Sequence, residues 1–160
     1  MRGPLALLPT QVYGLLHEIA RHLLRRPVIG VAVIPRTPDG RLLLIRRADT
    51  GMWAVPGGTL EWNETLVGTV HREVLEEAGA KVTRIGRITG IYSRPDRDPR
   101  FHAVTIAVLA DVDPPERAPM NALEIREARL FDLADIPRPL SMNLDDILDD
   151  ALSGREAVFE

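Results

Sequence analysis

The chain has 160 residues and a net charge of −3, with 45% hydrophobic and 27% charged residues, ordinary values for one globular domain large enough to bury a core. It has no cysteine, which excludes disulfides, thiolate catalysis and zinc–thiolate sites and makes a reducing cytoplasm the expected home. The acidic balance argues against a broad grip on nucleic acid, no apolar run is long enough to cross a bilayer, and Met1 to Pro9 is too short and proline-broken for a secretory leader.

Thr10 to Arg26 is predicted to form an amphipathic helix. Val12, Leu15, Leu16, Ile19, Leu23 and Leu24 recur at helical spacing, Thr10 can cap the start, and Pro27 ends the run. Arg21, Arg25 and Arg26 lie near the end where the helix dipole favours cations. Such an apolar face must be covered by its own domain or by a second subunit; a membrane surface is the third option, disfavoured by the modest basic content. The chain therefore divides into an N-terminal helix over residues 1–27 and a domain over 28–160. Val28 to Arg36 is rich in β-branched residues and reads as a strand; Pro38-Asp39-Gly40 turns the chain, and Arg41 to Arg46 returns as the second half of a hairpin. Trp53 to Pro56 is a short extended piece ending in Gly57-Gly58. Asn63 can cap a helix from Glu64 to Ala78, with Gly79 at its C-terminal end. Lys81 to Ser93 and Phe101 to Val112 are long strands separated by a polar loop that contains Pro95 and Pro99. Asp113 to Ala122 is a Pro-rich loop, Glu124 to Leu133 alternates as a strand, and Asn143 to Leu152 reads as a closing acidic helix ended by Gly154. This order predicts an α/β fold, a mixed sheet sandwiched between helices as α/β/α.

The chemistry sits on the central helix. Glu73, Glu76 and Glu77 fall within one sector at ~100° per residue. Carboxylates that close repel one another, and a cation relieves the repulsion. Hard carboxylate oxygens suit Mg²⁺ or Mn²⁺, and two such ions ~4 Å apart can activate water and neutralise a displaced phosphate. A solvated acidic face is the alternative for the helix alone. Its context favours chemistry: Gly57-Gly58 lies just upstream, where backbone can turn tightly and expose a carbonyl, followed by Glu64 and by Arg72 beside the glutamates.

Read together, Gly58, Glu64, Arg72-Glu73-Val74, Glu76-Glu77 and Gly79 stand at the fixed spacing of the signature box of the Nudix hydrolase family, which the chain resembles from about residue 28 to residue 137. One position departs: the box usually ends in a larger aliphatic residue, and here it is Ala80. Trp53 to Pro56, Ala128-Arg129-Leu130-Phe131 and Ile136-Pro137 are also similar to that family. The resemblance implies that Glu73 and Glu77 are the main metal ligands, that Glu76 is a further ligand or orients the attacking water, and that the Gly58 carbonyl completes a coordination sphere. It implies that Arg72 holds the glutamates by charge-assisted hydrogen bonds. Glu64 on an ideal helix would face away from Glu73, ~13 Å along the axis, leaving it a structural or metal-tuning role. Some relatives add a carboxylate from a downstream loop, for which Glu124 is the candidate; an exposed loop glutamate is the alternative.

The segment Gly90 to His102, with Pro95, resembles the loop and strand of ADP-ribose and nucleoside-diphosphate-sugar pyrophosphatases. Arg97 and Arg100 could contact phosphates, Tyr92 could stack on a base or ribose, and Asp98 could bond sugar hydroxyls. His102 could hydrogen-bond a phosphate or pack in its strand, and Arg46 and Arg47 at the end of the second strand are further phosphate candidates. A rigid surface turn is the alternative for this loop. The resemblance implies a small-molecule nucleotide substrate whose pyrophosphate bond is hydrolysed to a nucleoside monophosphate and a sugar phosphate, by a protein that forms homodimers. Other readings are pyrophosphohydrolysis of oxidised nucleoside triphosphates or RNA caps, a nucleotide-sensing module without catalysis, and an isomerase acting on a diphosphate-bearing double bond.

Overall fold

A computed structural model of the protein describes residues 10–24, 26–98 and 100–160, and within the first segment the side chains of residues 10, 11, 13 and 21–24 fall outside it. Thr10 as a cap and the side chains of Arg21, Leu23, Leu24 and Arg25 therefore lie outside the described residues. Helix α1 spans Thr10–Leu24. Its described apolar side chains Val12, Leu15, Leu16 and Ile19 are exposed, so they are not buried on their own domain.

Eight strands form one mixed sheet: β1 (Val28–Arg36), β2 (Leu42–Arg47), β3 (Trp53–Ala54), β4 (Gly57–Thr59), β5 (Val82–Tyr92), β6 (Ala103–Val112), β7 (Ile125–Phe131) and β8 (Val158–Phe159). The main path runs β3-β2-β1-β6-β5-β8, with β4 paired to β1 and β7 to β2. Strand β1 sits at the centre. It lies parallel to β6 along its whole length, from Val28 opposite Ala103 to Arg36 opposite Asp111. Its other edge is shared: the end at Arg36 meets β2 opposite Leu42, and the stretch from Gly30 to Ala32 meets β4. Unbroken burial of Val31–Ile34 and Leu42–Ile45 follows from this central position, since both faces of each strand are covered.

Helix α2 (Leu66–Ala78) packs on β1, β2, β4, β5 and β7, and α3 (Asp145–Leu152) on β5 and β6. In α2, Val70, Val74 and Ala78 recur every four residues as the buried stripe. The cap differs from expectation. Asn63 occupies a left-handed turn with φ 64°; the cap is Thr65, extended at φ −99° and ψ 154°, whose hydroxyl accepts from the Gly68 N–H at 3.1 Å. Glu64 consequently stands outside the helix. At the other end Gly79 is left-handed and donates to the Leu75 carbonyl, as its position predicts. Residues Leu133–Asp135 and Ser141–Asn143 are short 3-10 turns, so the last helix starts at Asp145 rather than Asn143. The short strand β8 has no counterpart in the sequence reading; it pairs in parallel with β5, Val158 opposite Gly90.

Candidate active site

Strand β4 runs directly against α2. The Gly57 N–H donates to Glu77 Oε2 at 2.9 Å, and the Gly58 Cα abuts the Glu73 carboxylate so closely that a side chain there would overlap it. Gly57 likewise has no room for a side chain beside the Val31 carbonyl. Two successive glycines are what permit this approach. Glu73 and Glu77 are each only 8% exposed, while Glu76 is half-exposed.

Arg72 ties the acidic groups together. Its Nε and Nη2 donate to the two oxygens of Glu64 at 2.8 and 3.0 Å, and its Nη1 donates to Glu73 Oε1 at 2.8 Å and Glu76 Oε2 at 3.5 Å. Nη2 also reaches the Thr59 carbonyl at the end of β4, at 3.1 Å. The sequence reading put Glu64 on the helix and turned away. Because the helix begins later, Glu64 instead folds back onto Arg72 and accepts from the Thr69 hydroxyl at 2.9 Å. Arg72 holds the Glu64 carboxyl down to about 2.

Burial pushes the Glu77 carboxyl up to about 8; the Gly57 N–H opposes this, and the charges of Glu73 and Glu124 add to it. Glu73 is raised in the same direction by burial, against the pull of Arg72 and with the push of Glu76 and Glu124. Two desolvated carboxylates that repel one another are a site a cation would relieve, and hard oxygens are the donors Mg²⁺ or Mn²⁺ favours. As the side chains stand, Glu73 is engaged by Arg72 and Glu77 by Gly57; among the described residues no three acidic or histidine groups are set as a metal cage.

Glu77, Gly57 and Gly58 line a cleft together with Gly30 and Ala32 of β1 and Thr105 of β6. Arg47, Arg97, Asp98, Arg100, Phe101, Met142 and Ile147 also line it, with Arg100 Nη2 3.7 Å from Met142 Sδ. Arg47, Arg97, Arg100 and Met142 also line a neighbouring depression along Pro139 to Asp145. Each cleft arginine has a carboxylate partner. Arg47 donates to Asp49 at 2.8 and 3.0 Å, Arg100 to Asp98 at 2.7 and 3.0 Å, and Arg97 to Asp146 and Glu160.

Of the residues singled out in the sequence, Gly58, Glu77, Arg47, Arg97, Asp98 and Arg100 meet at this cleft, with Glu73 behind Gly58 and Glu76 at the exposed rim of the cluster. Glu124 is exposed on its loop, its carbonyl bonded to the Ala48 N–H at 2.8 Å and its carboxylate accepting from Asn121 at 3.4 Å; its charge acts on both Glu73 and Glu77. Arg46 does not join them. It lies opposite Glu127 on β7 and pairs with it at 3.3 Å, and a register shift between Arg46 and Arg47 separates the two. Tyr92 was expected to stack on a base; it is 1% exposed, with its hydroxyl donating to Asp150 at 3.0 Å, so its ring is core and not a ligand platform. His102 bonds the Ser93 carbonyl through Nε2 at 2.8 Å and closes the neck of the loop outside the cleft. Phe101 and Met142 were missed. The aromatic neighbour of Arg100 could have flagged Phe101, whereas Met142 belongs to no pattern.

A mixed sheet whose central glycine pair presses a strand onto an acidic helix defines a particular class of α/β protein. The NUDIX domain model matches residues 26–151, and the chain belongs to the Nudix family. It is 38% identical over 103 residues to an ADP-ribose pyrophosphatase of Methanocaldococcus jannaschii, covering 62% of this chain and 59% of that protein. It is 30% identical over 139 residues to an NAD-capped RNA hydrolase NudC of Chromobacterium violaceum, covering 78% of this chain and 49% of that one. The chain thus spans about half the length of these curated relatives. Among solved structures, a NUDIX hydrolase from Nitrosomonas europaea superposes with a TM-score of 0.66 at 30% identity, covering 84% of this chain and 78% of that one.

Arg97 and the backbone amides of Ser93 and Arg94 hold the Glu160 carboxyl far down, to about 2 from an ordinary 4.5. A depressed carboxyl adds stability that is present above pH 4.5 and lost as pH falls from there toward 2. The stability difference between wild type and Glu160→Gln should therefore shrink over that window, measured by thermal unfolding across the acid range; a difference that stays constant with pH would show that the carboxylate charge contributes nothing.

Proposed function

We propose that the chain is a divalent-cation-dependent hydrolase of the pyrophosphate bond in a nucleoside diphosphate linked to another moiety, with ADP-ribose or a nucleotide sugar as substrate. The observation that carries this reading is the buried pair Glu73 and Glu77, held against Gly57-Gly58 beside a cleft that arginines and Phe101 also line. The similarity to a relative named ADP-ribose pyrophosphatase supports the substrate class.

In this reading Glu73, Glu76, Glu77 and the Gly58 carbonyl hold Mg²⁺ or Mn²⁺, with Glu124 as an outer ligand. The ion, when bound, neutralises charge on the phosphates and lowers the cost of making a nucleophile from water. Arg72 keeps the carboxylates aligned by holding Glu64, Glu73 and Glu76 from one guanidinium. Arg47 and Arg100 orient the phosphates by exchanging part of their pairing with Asp49 and Asp98 for phosphate oxygens. Phe101 offers the aromatic surface that Tyr92 does not, and Asp98 an acceptor for sugar hydroxyls. The products are a nucleoside monophosphate and a sugar phosphate. The second reading, decapping of NAD-capped RNA, is favoured by the similarity to the relative of that name; it uses the same chemistry on the same pyrophosphate.

No described helix is long and apolar enough to cross a membrane, and the absence of cysteine suits a cytoplasmic protein. Residues 1–27 are read as a segment apart from the hydrolase domain of 28–160, with the exposed Leu15, Leu16 and Ile19 meeting a second copy in a homodimer.

Four outcomes test this. Glu77→Gln should lower turnover of ADP-ribose with Mg²⁺ by about 100-fold or more while the fold survives, and EDTA should abolish wild-type activity; near-normal turnover in either case would remove the metal reading. Arg100→Ala should raise KM for ADP-ribose by about tenfold, and unchanged kinetics would take that residue out of the site. By light scattering the full chain should be a dimer and a chain starting at Val28 a monomer; equal oligomeric states would separate α1 from dimerisation.

A further inference from the structure

Glu160 follows strand β8 and holds the loop that walls the cleft, although it does not line the cleft itself. One of its carboxylate oxygens accepts from the Ser93 N–H at 3.1 Å, the Arg94 N–H at 2.7 Å and Arg97 Nε at 3.1 Å, and the other accepts from Arg97 Nη2. Its backbone joins in: the N–H donates to the Ile91 carbonyl at 3.0 Å, and the carbonyl accepts from the Ser93 hydroxyl at 3.0 Å. Six hydrogen bonds from one residue, with an ion pair to Arg94 at 3.6 Å besides, converge on the root of a single loop.

Arg97 is the post to which they tie. It is 7% exposed, its guanidinium lies 4.7 Å from the centre of the Tyr92 ring, and Asp146 takes Nη1 at 3.1 Å and Nη2 at 2.9 Å. All three of its nitrogens are engaged by Glu160 and Asp146, which leaves little for a phosphate. This differs from its reading in the sequence as a phosphate contact. A buried guanidinium needs such partners, because an uncompensated charge there is costly. The next residue, Asp98, fixes Arg100 through its backbone N–H at 2.9 Å and its guanidinium, and that guanidinium lies 5.0 Å from the centre of the Phe101 ring. The order from Glu160 through Arg97 to Asp98, Arg100 and Phe101 ends at the surfaces that face the cleft.

We propose that Glu160 is a positioning residue that sets how tightly the cleft holds the part of the substrate remote from the scissile bond, by fixing Arg97 and through it Asp98, Arg100 and Phe101. This rests on the cleft being the substrate site. Among the described residues the hydrogen bonds and ion pairs of Glu160 go to Ile91, Ser93, Arg94 and Arg97 and not to the acidic cluster on α2, so affinity should change while the chemical step does not.

The test compares wild type with Glu160→Gln, which keeps size and one acceptor oxygen, and with Glu160→Ala, using the full chain. With ADP-ribose and Mg²⁺, KM should rise about tenfold in both variants while kcat stays within about twofold, a split that loss of general stability does not produce. Hydrogen exchange should speed up in residues 93–101 and stay unchanged in 66–78. The proposal is overturned if exchange in 93–101 matches wild type in both variants, if exchange rises there with KM unchanged, or if kcat falls as far as KM rises. Exchange needs no substrate. A wild type inactive on ADP-ribose and nucleotide sugars would thus overturn the substrate reading alone, and exchange together with calorimetric binding of Mg²⁺–ADP would still decide the role of Glu160: unchanged exchange or unchanged affinity in the variants rejects it.

Discussion

The close approach of strand β4 to helix α2 is the constraint on which the rest depends. Gly57 and Gly58 have no side chains because the Val31 carbonyl and the Glu73 carboxylate occupy the space. That contact strips water from Glu73 and Glu77 and leaves them among charges of their own sign, a state the fold tolerates only because Arg72 and the Gly57 amide answer them. One arginine thereby joins the loop before the helix, the helix itself and the end of β4. Within roughly twenty residues of sequence, turn chemistry, helix capping and electrostatics all serve one patch of carboxylate oxygens.

The cleft is built differently. Its acidic residues come from a local motif, but the rest of its lining comes from β1, β2 and β6, the loop around Arg100 and the turn before α3, which are brought together only by the sheet. The parallel pairing of β1 with β6 puts Val28 beside Ala103 and so delivers the loop to the glycine pair. The carboxylate partners of the cleft arginines keep them from standing as a bare cluster of positive charge.

How far the sequence reveals this follows from the same division. Strand β1 was legible to the residue because a β-branched run has one good solution, and the end of α2 was legible because Gly79 is needed at a positive φ. The glutamates and their glycine strand were legible because they recur at fixed spacing. What was not legible depended on distant partners. Asn63 and Thr65 are both good caps, and only the left-handed turn at Asn63 decides between them. Tyr92 and Arg97 carry the right chemistry for a ligand, yet Asp150, Asp146 and Glu160 claim them from far along the chain. Val158–Phe159 is too short to show a period, so β8 and its hold on the loop leave no pattern to read.

The pinning of Ser93 and Arg97 by a residue more than sixty positions later has a consequence for the order of assembly. The acidic cluster, its arginine and its glycine strand lie within residues 57–77 and can come together through short loops. The loop beside the cleft cannot, because the carboxylate that fixes it lies more than sixty positions further along and must close a long stretch of chain to reach it. Loop closure therefore favours an order of folding in which the carboxylates gather through short connections before the distant carboxylate fixes the loop around Arg97.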